Sequence, residues 1–171
     1  MIIVVNDANV LIDIVKLQLL PQFFDLDLEF HTTSLILNEL HSEQVEQLQK
    51  YINCSLLNVN ELSADELMEI VTLQTERPQL SEQDCSAIVC ARRISGEILT
   101  SDNNLRKFAA IKGVSVKGHL WIFDLLVAQN LISAAVAIDK LAELREIINP
   151  RLGLPKAECE NRITVWKTLV I

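Results

Sequence analysis

The apolar positions of this chain follow two rhythms. Residues 2–5 form an unbroken apolar run, the pattern of a strand covered on both faces. Short runs at 28–33, 55–59, 97–100 and 114–117 predict four more strands. Between them the period lengthens. After the first strand, Leu11, Ile14, Val15 and Gln18 fall on neighbouring helical turns, with Pro21 ending the stretch. Residues 35–52 bring Leu37, Leu40, Val45, Leu48 and Ile52 near one face, away from Glu43, Glu46, Gln47 and Lys50, which predicts one amphipathic helix.

Ser63-Ala64-Asp65-Glu66 has the spacing of a capping box and opens a helix to about residue 74. Residues 81–95, almost wholly apolar from Cys85 to Ala91, predict a buried helix stopped by Gly96. Further helices are expected over 103–112, ended by Gly113, and over 119–130 and 133–149, the latter broken by Pro150. A terminal helix runs from Pro155 to about Trp166. Strands alternating with helices imply a parallel sheet between helical layers, because parallel neighbours need crossovers. The expected architecture is one three-layer α/β/α domain over 1–171, with a core of about 1–117 and a helical extension of about 118–171.

Composition narrows the class. With 171 residues, 50% of them hydrophobic, and only 4 Gly and 4 Pro, the chain can bury a core, and extensive disorder is excluded. The first residues lack a cationic start, and residues 121–138 include Asp124, Gln129 and Asn130. Neither a signal peptide nor a membrane span is therefore expected, and the cytoplasm is the default location. Cys54, Cys85, Cys90 and Cys159 lack metal-ligand spacing and read as reduced, buried thiols.

Candidate chemistry comes from carboxylates. Sites in open parallel sheets lie beyond the carboxyl ends of the strands. Asp7 follows the first strand, Asp102 follows the strand at 97–100, and Glu39 comes soon after the second strand. Asp84 stands in the first turn of the buried helix. Each has a plain structural alternative: Asp7 and Asp102 as helix N-caps, Asp84 in a capping box with Ser81, and Glu39 as an exposed helix residue. Four acids gathered at one sheet edge would repel one another without a cation. Magnesium or manganese takes such oxygen ligands and activates water toward a phosphoryl group, so the chemistry expected is metal-assisted phosphodiester hydrolysis. No Ser-His-Asp pattern, P-loop or GxGxxG is evident, and no glycine precedes Gly96.

The segments DANVLID, TTSLILNEL, LSEQDCSAI and LTSDNNLRKFA resemble, in order, the acidic motifs of PIN-domain nucleases over about residues 2–117. The stretch beginning GHLWIFDLLVAQNLI is similar to the extension of a bacterial subgroup. The resemblance implies that Asp7, Glu39, Asp84 and Asp102 are a catalytic quartet holding one or two Mg²⁺ or Mn²⁺ ions. Asp7 and Asp102 would be direct ligands, and Glu39 and Asp84 would serve a second ion or the attacking water. Thr100 and Ser101 would orient the Asp102 loop, and Asn9 would hydrogen-bond Asp7. Asn104 stands where many relatives carry another acid, which bears on the second metal position. The implied activity is an endoribonuclease leaving a 5′-phosphate and a 3′-hydroxyl. Many bacterial members are VapC-type toxins, restrained by an antitoxin; that antitoxin and a second copy of the chain are the candidate protein partners.

Charge bears on how RNA would be held. The net charge is −8, and the pI is about 4.9. Residues 1–91 carry 3 basic and 15 acidic residues, whereas residues 92–117 carry 6 basic and 2 acidic. The basic segment flanks Asp102, so Arg106 and Lys107 are the candidate RNA contacts, set against a plain reading as a solvated helix face. His31, His41 and His119 carry no metal signature, and Trp121 and Trp166 read as packing residues. Two other functions compete: an inactive PIN-like interaction protein acting through a partner, with Leu120, Phe123, Leu126 and Val127 as its apolar contact, and a phosphatase. The phosphatase is disfavoured because Asp7-Ala8-Asn9 lacks the second aspartate of a DxDxT pattern.

Overall fold

The computed structural model describes residues 1–170. Five strands form one parallel sheet: β1 (Ile2–Asn6), β2 (Leu28–Thr33), β3 (Leu57–Asn60), β4 (Glu97–Leu99) and β5 (Val116–Lys117). Their order is β3-β2-β1-β4-β5. The chain winds outward from β1 through β2 to β3, then crosses back to place β4 on the other side of β1. The carboxyl ends of β1 and β4 therefore flank a topological switch point, where such sheets open a crevice.

Helices cover both faces in a three-layer α/β/α arrangement. On one side α6 (Glu82–Ile94) packs across β1, β2 and β4 and carries α3 (Ser34–Leu37) and α5 (Ala64–Glu76) against it. A second group joins α1 (Ala8–Lys16), α2 (Leu20–Phe24) and α4 (Ser42–Asn53). The chain continues with α7 (Asn103–Ile111), α8 (His119–Ala128), α9 (Ala134–Glu143), a π-helical turn (Leu144–Ile148) and α10 (Lys156–Leu169). Among the described residues no helix is long and apolar enough to cross a membrane. Phe23, Phe24, Phe30 and Tyr51 form an aromatic knot between α2, β2 and α4, with Tyr51 stacked on Phe24 at 4.2 Å.

All five expected strands form; two of the expected helices are bounded differently, and the one expected over 133–149 gives way after Glu143 to the π-helical turn. The helix after β1 does not run to Pro21. It stops at Lys16, Gln18 turns left-handed (φ 58°), and Pro21 lies in the first turn of α2, where its missing N–H costs nothing. The stretch 35–52 is two helices, because Asn38–His41 form a turn that leaves Glu39 outside both. The helix α6 ends where expected, before Gly96, but the residue that takes the left-handed conformation is Ser95 (φ 55°). Gly96 is needed for a different reason: a Cβ there would lie 3.1 Å from the Ile3 carbonyl oxygen.

The extension packs into the core. Leu120, Phe123 and Leu126 are buried within the chain, and Phe123 meets the buried Trp166 at 6.2 Å between ring centres. Cys85, Cys90 and Cys159 are buried as expected, but Cys54, beyond the end of α4, is exposed.

Candidate active site

Asp7, Glu39, Asp84 and Asp102 line one recess of about 510 Å³, together with Ala8, Asn9, Ile12 and Ser81. The sheet explains how residues so distant in sequence meet. Asn6 and Leu99 are paired in register, and the backbone N–H of Asp7 donates to the Leu99 carbonyl at 3.0 Å. Asp7 therefore sits one residue past the end of β1, directly beside the loop after β4.

The structural alternatives for these acids separate cleanly. Asp7 occupies the N-cap position of α1 but makes no capping bond; its Oδ2 accepts from Thr100 Oγ1 at 2.8 Å instead. Asp102 does cap α7, with Oδ1 accepting from the Leu105 N–H at 2.8 Å. Asp84 completes a capping box: its Oδ2 accepts from the Ser81 N–H at 2.9 Å, and its own N–H donates to Ser81 Oγ at 3.0 Å. A cap engages one carboxylate oxygen and leaves the other available, so capping and binding are compatible. Replacing Ser81 by Ala removes only the hydroxyl half of the box. The expected cost is about 1 kcal/mol, seen in thermal denaturation as a Tm lower by about 2–4 °C.

The electrostatics of the recess are under strain. Asp7 is 3% exposed. Burial, the largest cause, raises its pKa to about 7; the Thr100 hydrogen bond opposes this, and the charges of Asp84 and Glu39 add to it. Burial also pushes the Glu39 carboxyl up, with a further contribution from Asp84. Asp84 is raised by burial, against the opposing bonds from Ser81, and Asp102 adds to the rise. All three groups are shifted toward the protonated form, and each has a neighbouring carboxylate among the causes.

Oxygen donors alone, in a recess with too much negative charge, fit a hard divalent cation by chemistry. Among the described residues, however, no group of three or more His, Cys, Asp or Glu side chains stands arranged to hold a metal ion. Any enclosure of an ion therefore needs side-chain movement or ligands from water and substrate.

The supporting residues divide. Thr100, fully buried, ties the two strand ends together: its Oγ1 donates to Asp7 and accepts from the Asp102 N–H at 3.0 Å. Asn9 lines the recess without hydrogen-bonding Asp7, contrary to expectation. Arg106 is half-buried and braces the loop, donating from Nη2 to the Thr100 carbonyl (3.0 Å) and from Nη1 to the Val116 carbonyl (3.3 Å). Lys107 is exposed on α7. Much of the basic segment faces the protein's own acids. Arg92 pairs with Glu69 at 2.5 Å, Arg93 with Glu66 at 2.7 Å, and Lys112 with Glu76.

One constellation escaped the sequence reading, which found no Ser-His-Asp pattern. His119 is buried, with Nε2 2.9 Å from Asp13 Oδ2 and Nδ1 2.7 Å from Ser101 Oγ. Asn149 Nδ2 donates to the same Asp13 oxygen at 3.0 Å. A signal was present: Asp13 is an acid inside the apolar run Val10-Leu11-Ile12-Asp13-Ile14-Val15, and a buried carboxylate needs partners. Which partners it has depends on the tertiary fold.

No curated protein matches the chain. A family model described as a PIN domain matches residues 3–153, which extends past residue 117 into the helical extension. With that match over most of its length and an all-parallel sheet of the expected kind, the chain belongs to the PIN-domain family, whose fold is that of nucleases.

Proposed function

We propose that this protein is a Mg²⁺- or Mn²⁺-dependent endoribonuclease that hydrolyses RNA phosphodiester bonds to leave a 5′-phosphate and a 3′-hydroxyl. The observation that carries this reading is the recess itself: four carboxylates at the switch point, one of them buried and held up to about pH 7 by its surroundings. A divalent cation relieves that excess charge. Magnesium commonly keeps several waters and uses only one or two carboxylates with substrate phosphate, so a preformed cage of three protein ligands is not required. Asp7 and Asp102 are the residues that would hold the ion, with Glu39 and Asp84 serving a second ion or the attacking water. When bound, the ion supplies an activated water and stabilises charge developing on the phosphoryl group.

The chain's own residues do the rest. Thr100 holds Asp7 and the Asp102 backbone in fixed relation, Arg106 braces the loop through the Thr100 and Val116 carbonyls, and exposed Lys107 on α7 is the candidate for a flanking phosphate. We assign the protein, by the same reading, to the toxin half of a toxin–antitoxin pair acting in a bacterial cytoplasm. Induced expression is then expected to halt growth, and the Asp7→Asn variant to leave growth unaffected.

A second reading, a PIN-like interaction protein with little or no activity, is favoured by the capping bonds of Asp84 and Asp102 and by the lack of a ready-made metal cage among the described residues. Cleavage of a mixed RNA pool with and without divalent ions decides between them. Cleavage is expected with Mg²⁺ or Mn²⁺, falling by at least about a hundredfold in excess EDTA. Calorimetry showing no Mn²⁺ binding, together with intact RNA, would establish the second reading instead.

A further inference from the structure

A continuous, partly buried chain of hydrogen bonds links the C-terminal part of the molecule to the loop that carries Asp102. Asn149 Nδ2 donates to Asp13 Oδ2 at 3.0 Å, and His119 Nε2 meets the same oxygen at 2.9 Å. On the other side of the ring, Nδ1 lies 2.7 Å from Ser101 Oγ, which also accepts the backbone N–H of His119 at 3.1 Å. The hydrogen positions are set by chemistry. An ionised carboxylate only accepts, so Nε2 carries the hydrogen that faces Asp13. In the neutral ring Nδ1 is then an acceptor, and the Ser101 hydroxyl, whose oxygen already accepts the His119 backbone N–H, donates to it. The ring hydrogen and the hydroxyl hydrogen both find acceptors within the chain.

The order Asp-His-Ser invites comparison with a nucleophile relay, but the packing around Ser101 gives it another role. A Cβ at Gly118 would lie 2.9 Å from Ser101 Oγ and 2.9 Å from Arg106 Nη2, so the hydroxyl is wedged against the Gly118 backbone. It acts as a joint. On one side of it Thr100 bonds Asp7; on the other stands Asp102. Asn149 comes directly after the π-helical turn, and its N–H closes that turn on the Leu144 carbonyl at 2.8 Å. Such turns insert one residue into the helical repeat and so re-aim the side chains beyond it, and they are frequent at functional sites.

We infer that Asn149, Asp13 and His119 are positioning residues, acting through Ser101 to fix the Thr100–Asp102 loop and thereby the relation of Asp102 to Asp7. The inference rests on the nuclease reading for its effect on catalysis and on the hydrogen-bond geometry for its mechanical part.

The test is Asn149→Ala, a change at a residue that does not line the acidic recess. Losing an outer partner of metal ligands typically costs tenfold or more, so kcat for RNA cleavage and Mn²⁺ affinity are each expected to fall about tenfold, with KM for RNA unchanged. Leu48→Val, a fully buried change in α4 outside both the turn and the recess lining, provides a control for general destabilisation and is expected to keep both quantities within about twofold. Nitrogen-15 spectra of the parent should show the His119 ring protonated on Nε2, and Asn149→Ala should move the amide resonances of Ser101 and Asp102. Where Asn149→Ala does not fold, Ser101→Ala is read in the same way. Unchanged kcat and Mn²⁺ affinity, losses equalled by Leu48→Val, or a hydrogen on Nδ1 alone overturn the proposal. If the parent neither binds Mn²⁺ nor cuts RNA, the nuclease reading fails separately. The amide shifts then decide the mechanical part: movement at Ser101 and Asp102 supports it, and stillness overturns it.

Discussion

Replacing Asp7 by Asn is expected to abolish RNA cleavage, by at least about 10²–10³-fold, while making the metal-free protein more stable at neutral pH. The second effect comes from the sign of the Asp7 shift. Its pKa stands at about 7 in the folded protein against an ordinary 3.8, chiefly through burial. Below about pH 4 folded and unfolded chains both hold the proton, and Asp7 leaves stability unchanged. Between about pH 4 and 7 the unfolded chain releases a proton that the folded chain keeps, so stability falls as pH rises; above 7 the penalty is complete.

A shift of this size corresponds to a few kcal/mol, to order of magnitude. Asn has no proton to lose and can still accept from Thr100. In EDTA the Tm of Asp7→Asn should therefore match the parent near pH 4 and exceed it by about 5–10 °C at pH 8. Calorimetric scans across that range check the prediction. A Tm difference that does not change with pH would show that Asp7 carries no such strain.

Thr100→Val should act in the opposite direction. Valine keeps the shape of threonine but removes the hydroxyl that serves both Asp7 and the Asp102 backbone. Each buried polar group left without a partner costs about 1–3 kcal/mol, so a Tm lower by about 5–10 °C is expected at pH 8. The Thr100 bond is also the largest influence holding the Asp7 pKa down. Without it the proton competes harder with any cation, and the Mn²⁺ concentration for half-maximal cleavage at pH 7 should rise about tenfold. Titrating Mn²⁺ at pH 6, 7 and 8 separates the two effects, because the competition weakens as the proton leaves.

The sheet could be read from the sequence because its strands are short apolar runs separated by helical spacing, and parallel pairing is implied by that alternation. The acids could be read because each comes after a strand or opens a helix, and strand ends in such sheets converge. The rest depends on tertiary packing and could not be read. Residues 35–52 satisfy one helical face throughout, yet the chain turns at Asn38–His41, and that turn is what places Glu39 at the recess. Pro21 marks a helix start as readily as a stop; only the left-handed Gln18 decides which.

The basic segment is a similar case. Charge counted along the chain takes no account of pairing across it. Arg92, Arg93 and Lys112 meet acids of α5, which lies earlier in the sequence. The link from Asn149 through Asp13 and His119 to Ser101 spans separations of up to 136 residues. No local spacing could have announced it.

Those ion pairs between distant segments of the chain have a bearing on how the molecule meets a polyanion. Guanidinium and ammonium groups already occupied at home cannot form a broad attractive field, so encounter with nucleic acid is left to short-range fit and to whatever positive charge a bound ion brings. On the proposed nuclease reading, selectivity on such a surface would come from shape rather than from indiscriminate stickiness.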